Sequence, residues 1–120
     1  MKYNAFILDW TMDNYQQLKT KLLKYGFAFL PDAESRHIRV AVPWNYVAEF
    51  SALCQEHLNQ PCNYVDFQFP LEKTTVVVFR AKTFFVTSMQ ENEQVRQWAL
   101  AQGLPVEQAD WPVAFLEPVL

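Results

Sequence analysis

Thr74-Thr75-Val76-Val77-Val78-Phe79, closed by Arg80, is a run of β-branched and aromatic residues with no polar alternation. Such a composition suits a strand covered on both faces, so the run predicts a central strand. The next residues read as a reversal at Ala81 and Lys82, a second strand over 83–87, and a helix. Ser88 stands three residues before Glu91, the spacing at which a hydroxyl and a carboxylate satisfy the free amides of a helix start. Gly103, followed by Leu104 and Pro105, closes that helix as a left-handed stop. Neither Ala81 nor Lys82 favours positive φ, so one long bent strand over 74–87 competes with the hairpin.

Toward the N-terminus, residues 3–9 form a short apolar run ending in a carboxylate, the pattern of a first strand. Thr11 is placed to cap a helix whose inner face is Tyr15, Leu18, Leu22 and Tyr25, with Gly26 as its stop. Strands over 27–30 and 37–42 flank Pro31 and a polar turn at 32–35, and so make a hairpin. Pro43 fits the first position of a second helix, which turns Val47, Phe50, Cys54 and Leu58 to one side and runs to Asn59. In residues 64–69, Val65, Phe67 and Phe69 alternate with Tyr64, Asp66 and Gln68, a strand with one wet face that Pro70 ends. In the last helix Val95, Trp98, Ala99 and Gln102 are expected to point inward.

Strand, helix, strand, strand, helix, strand is the arrangement of a ferredoxin-like βαββαβ sandwich, an α+β fold with helices on one face of an antiparallel sheet. The expected organisation is one domain over 1–120: a core at 1–70, an extension of β-hairpin and helix at 71–105, and a tail at 106–120. The tail carries Trp111, Val113, Phe115, Leu116 and Leu120 among prolines. It is too apolar to hang free and too proline-broken to be a central strand, so it must lie against its own sheet or against a partner.

Composition excludes several classes of function. One hundred and twenty residues, 51% hydrophobic and 16% aromatic, make a folded chain rather than a disordered one. Aromatic content this high in a short chain tends to reach a surface, and points to a partner protein or a second copy of the chain, as in a homodimer. A net charge of −3 with no basic stripe makes nucleic acid an unlikely partner. No apolar stretch has the length of a membrane span, and no leader pattern is visible at the start, so the expected address is the cytoplasm. Cys54 and Cys62 form no Cys-x-x-Cys motif and are expected to be reduced.

Chemistry-bearing motifs are sparse. His37 and His57 lie on different elements without neighbouring ligands, and His57, near a helix end, reads as a cation complementing the dipole. Gly26 and Gly103 are the only glycines, so there is no phosphate-cradling loop, and no cofactor is expected. Cys62, in a loop, is the one thiol placed for reactivity. Asp9, at the end of the first strand, could hold a divalent cation together with Asp13 at a dimer interface, which makes a small metal-dependent enzyme the alternative function. The better reading of Asp9 is that it ends a strand and, with Thr11, starts a helix by capping. A weaker alternative is RNA stacking on Phe27, Phe29, Phe67, Phe69, Phe84 and Phe85. Trp10, Trp44 and Trp111 sit at element ends, where they either cover the edge of the core or anchor a partner, with Phe115 and Leu116 as further anchors. The expected function is a non-catalytic protein-interaction or regulatory module.

Overall fold

The computed structural model describes residues 3–31, 36–113 and 116. The fold is α+β, with three α-helices and a six-stranded antiparallel sheet among the described residues. In chain order the elements are β1 (Ala5–Leu8), α1 (Tyr15–Lys24), β2 (Ala28–Pro31), β3 (His37–Ala41), α2 (Val47–His57), β4 (Tyr64–Phe69), β5 (Thr74–Phe79), β6 (Thr83–Val86) and α3 (Met89–Ala101). The sheet order is β2-β3-β1-β4-β5-β6, and each neighbouring pair is antiparallel. The turn expected at 32–35, Phe115 and Leu120 lie outside the described residues.

α1 and α2 cover one face. Alternation in β1, β3 and β4 sends Ala5, Ile7, Ile38, Val40, Val65 and Phe67 toward them, against Leu18, Leu22, Phe50 and Cys54. Phe50 meets Phe67 edge-on at 5.2 Å and Phe27 at 5.4 Å. Such pairs contribute about 0.5–1.5 kcal/mol beyond the area they bury. α1 ends as its glycine demands: Gly26, at φ +85°, donates to Leu23 O, and Phe27 donates to Leu22 O. Tyr25, expected on the inner face, follows the last helical residue and is exposed.

The starts of both helices depart from expectation. Thr11 does not cap α1; it is buried in a 3₁₀ turn, Asp9–Thr11, and its hydroxyl donates to Leu8 O. Residues 11–13 are instead stitched to the end of α2: Met12 bridges Leu58, Asp13 N–H donates to His57 O, and Asn59 N–H donates to Thr11 O. With those backbone groups engaged, α1 begins only after Asn14, which takes φ +51°. Pro43 likewise opens a 3₁₀ turn, Trp44–Tyr46, and α2 follows at Val47 and stops at His57. His57 is not a surface cation but buried. Nε2 accepts from Lys21 Nζ at 3.1 Å, since an ammonium only donates, so the ring proton sits on Nδ1 and is given to Asp13 O at 2.7 Å.

β5 is buried along its whole length, as its composition requires. Val76 and Val78 face α2's side, whereas Val77 and Phe79 point to the opposite face, under α3. The helices therefore do not share one face: a strand apolar on both sides needs a cover on each. The hairpin forms, with its reversal one residue earlier than expected. Phe79 and Lys82 exchange both backbone hydrogen bonds around Arg80 and Ala81, and neither loop residue has positive φ. In α3, Ser88 Oγ accepts from Glu91 N–H at 3.1 Å. The Glu91 carboxylate reaches back to Thr87 N–H and the Thr87 and Ser88 hydroxyls, chiefly Thr87, which holds its pKa below the usual carboxylate value. Val95 and Ala99 are buried and Trp98 rests on Phe79 and Phe84, but Gln102 is exposed at the helix end.

The described part of the tail lies on its own sheet. Trp111 is buried between Tyr64 and Phe79, and its indole N–H donates to Asn92 Oδ1 at 2.6 Å. Tyr64 OH donates to Gln108 O, Arg96 Nε to Ala109 O, and Thr75 Oγ1 to Pro112 O. An irregular segment can close a core only when its carbonyls find donors in this way. Leu116 is buried in the same cluster.

Candidate functional site

Beside the tail, the outer face of β1, β3 and β4 carries no helix among the described residues. Because Ala5 and Ile7 turn inward, Phe6 and Leu8 turn outward, opposite Arg39 and His37. Phe6 stacks on His37 at 4.5 Å, and the Arg39 guanidinium lies 5.3 Å from the Phe6 ring centre. Between this row and residues 104–110 runs a groove of about 390 Å³, with Phe6, Trp10, Cys62, Tyr64, Asp66 and Asp110 in its lining.

The groove's half-buried acid is Asp66. Burial raises its pKa, the hydrogen bond from Gln68 Nε2 at 2.6 Å opposes the rise, and the charge of Asp110 adds to it. Tyr64 is pushed well above the usual tyrosine value by burial and by the charges of Asp66 and Asp110. A carboxyl poised in this way is what general acids use, yet Tyr64 is committed to Gln108 O, and among the described residues no group of three or more His, Cys, Asp or Glu could hold a metal ion. In this geometry Tyr64 fastens the tail to β4 through Gln108 O and Asp110, whereas Asp66 is held within β4 by Gln68 and repelled by Asp110.

The residues singled out from sequence scatter. Asp9 Oδ2 accepts from Arg36 Nε at 2.9 Å, while its Oδ1 is buried without a hydrogen-bond partner among the described residues. Asp13 is exposed. Cys62 is half-buried in the groove lining, and Cys54, deep under α2, has its thiol pKa raised by burial. Both cysteines are free. Trp10 is exposed at the groove mouth, Trp44 is exposed at the far end of the sheet, and Trp111 and Leu116 are interior. Of the rings considered for base stacking, Phe27, Phe67 and Phe69 are core, Phe29 and Phe84 pack against the two cores, and Phe85 is exposed.

A second surface joins one residue expected from the sequence, Trp44, to several that are not. Trp44 lies edge-on to Phe69 at 4.9 Å and lines a hollow of about 530 Å³ with Pro43, Pro70 and Leu71. Leu71, at the tip of the β4–β5 turn, is 95% exposed. Across Pro43 and Ala41 a neighbouring hollow of about 360 Å³ is lined by Tyr25, Phe27 and Tyr46. Exposed aromatic and aliphatic side chains thus run continuously around this end of the sheet. The signal in the sequence is Leu71 itself, a large apolar residue inside a turn between Pro70 and Glu72, where polar residues are the norm. No family model, no curated protein and no solved structure matches the chain.

Proposed function

We propose that this chain is a non-catalytic protein-interaction or regulatory module, homodimeric and cytoplasmic, that takes its partner at the apolar end around Trp44 and Leu71. Its framework is a ferredoxin-like core, β1 to β4 with α1 and α2, to which β5, β6 and α3 are appended; the antiparallel pairing of β1 with both β3 and β4, and of β2 with β3, supports that reading. The observation that carries the function is the exposure of Leu71. A leucine offered to water at a turn tip, beside an exposed tryptophan and with two exposed tyrosines in the next hollow across Pro43, is an apolar surface of the kind that partners cover. The test is affinity capture from host extract with the wild-type chain and a Trp44→Ser, Leu71→Glu double variant. A partner held by the wild type and lost by an equally stable variant supports the module; identical recovery with both refutes it.

A second reading, a dimer that holds a divalent cation at Asp9 and Asp13, draws on the orphan Asp9 Oδ1. A ligand bound only by the native state must raise the unfolding temperature. A cation-dependent rise that disappears in Asp9→Asn would favour this reading over the first.

A further inference from the structure

We propose that two copies of the chain join through the outer edge of β6, making one continuous sheet across a two-fold axis at Phe84. The inference rests on the dimeric part of the preceding reading and assigns its interface. Phe79 and Lys82 form a hydrogen-bonded pair, so along the β5–β6 ladder Val77–Phe84 and Thr75–Val86 are hydrogen-bonded pairs too. Thr83 and Phe85 are the alternate residues, and their N–H and C=O groups point away from β5. Among the described residues nothing meets those backbone groups, and Phe85 is 51% exposed. The opposite edge strand, β2, ends in Pro31, which has no N–H to offer; β6 has no proline within it.

Charge selects a second copy over another strand. Arg80 and Lys82 stand at one end of β6, and Glu91 stands beyond the other, its Oε1 gathered by Thr87 and Ser88 while Oε2 accepts from none of the described residues. Antiparallel pairing about Phe84 sets Thr83 against Phe85 of the second copy, and each such pair exchanges both backbone hydrogen bonds. It sets Lys82 beside Val86 of the second copy, next to Thr87 and the Glu91 carboxylate. Lys82 shares the α3 face with Phe84, over whose ring its ammonium lies at 4.8 Å, so cation and carboxylate meet on the same side of the sheet. The match is self-complementary, as a two-fold contact must be.

Sedimentation of the full chain, with Phe85→Pro and Lys82→Glu variants, tests this. Proline at 85 removes an outward N–H and no bond to β5. The wild type is expected at twice the 14.1 kDa chain mass. Phe85→Pro should raise the dissociation constant roughly 100-fold, and Lys82→Glu should raise it about 10-fold at low salt and less at high salt. A wild type that stays monomeric up to about 1 mM overturns both the dimer and this interface. A dimer that persists unchanged in folded Phe85→Pro overturns only the interface. If that variant does not fold, amide exchange in the wild type decides: protection at Thr83 and Phe85 that grows with concentration supports the pairing, and protection independent of concentration overturns it.

Discussion

The face of the sheet under α1 and α2 and the face under α3 and the tail are closed by different means. On the first, two amphipathic helices lay Leu18, Leu22, Phe50 and Cys54 over an aliphatic and phenylalanine floor, and the helices satisfy their own backbones. On the second, one helix covers part of Val77, Phe79 and Val86, and a segment without regular strand or α-helix covers the rest. That segment is held by single hydrogen bonds from Tyr64, Arg96 and Thr75, and by the one its Trp111 indole gives to Asn92. Stability on the first side is spread over many interchangeable apolar contacts. On the second it is concentrated in a few polar contacts, each exposing its neighbours if lost.

Four experiments put that contrast at risk. Truncation after Ala109 removes Trp111 and Leu116 from the second core and should lower stability by more than about 5 kcal/mol, since a buried tryptophan alone accounts for about 3–5. A wild-type urea midpoint in the truncated chain would mean that the tail is no part of the core. Phe79→Ala should cost about 4 kcal/mol. In the truncated background its further effect should shrink, because Phe79 and Trp111 are neighbours at 6.4 Å; full additivity would show two independent packing units. Asn92→Leu leaves the indole N–H of Trp111 buried without an acceptor and should cost about 2 kcal/mol, most of it recovered by Trp111→Phe in the same chain. Failure of that recovery would place the loss elsewhere.

Asp66→Asn should give the smallest change, and one of opposite sign. The folded-state pKa of Asp66 lies above its unfolded value, so the ionised carboxylate opposes folding at neutral pH, and the penalty fades as pH falls through the folded pKa toward the unfolded one. The variant should therefore be the more stable at pH 7, with the difference closing on acidification. Denaturation curves at neutral and acidic pH measure it, and a difference that does not change with pH would assign the effect to packing.

Local chemistry makes much of the fold legible from sequence. The β-branched run at 74–79, the Ser88–Glu91 spacing, the two glycine stops and the alternation of β4 each act through neighbours a few residues away, and each stands where the sequence puts it. The misreadings arise where distant segments compete for the same backbone groups. Thr11 has the chemistry of a cap, but Asn59 and Leu58 claim its segment, and His57 is buried because residues 11–13 cross it. The face chosen by α3 follows from which residues of β5 remain uncovered once α2 is in place, which no local window contains. At the candidate site, Trp44's position at an element end is legible, while its junction with Leu71, Tyr25 and Tyr46 depends on three turns meeting at one end of the sheet.

The double-sided burial of β5 also sets an order in time. Both helices that cover its first side are encoded before it, so Val76 and Val78 find their cover already synthesised as they leave the ribosome. Val77 and Phe79 do not: Trp111 and Leu116 are translated more than 30 residues later. At about 5–20 residues per second that is a delay of roughly 2–7 s. During this interval a strand that is buried at every position in the fold has its second side covered by α3 at most, and a chaperone that engages the nascent protein would find its target there.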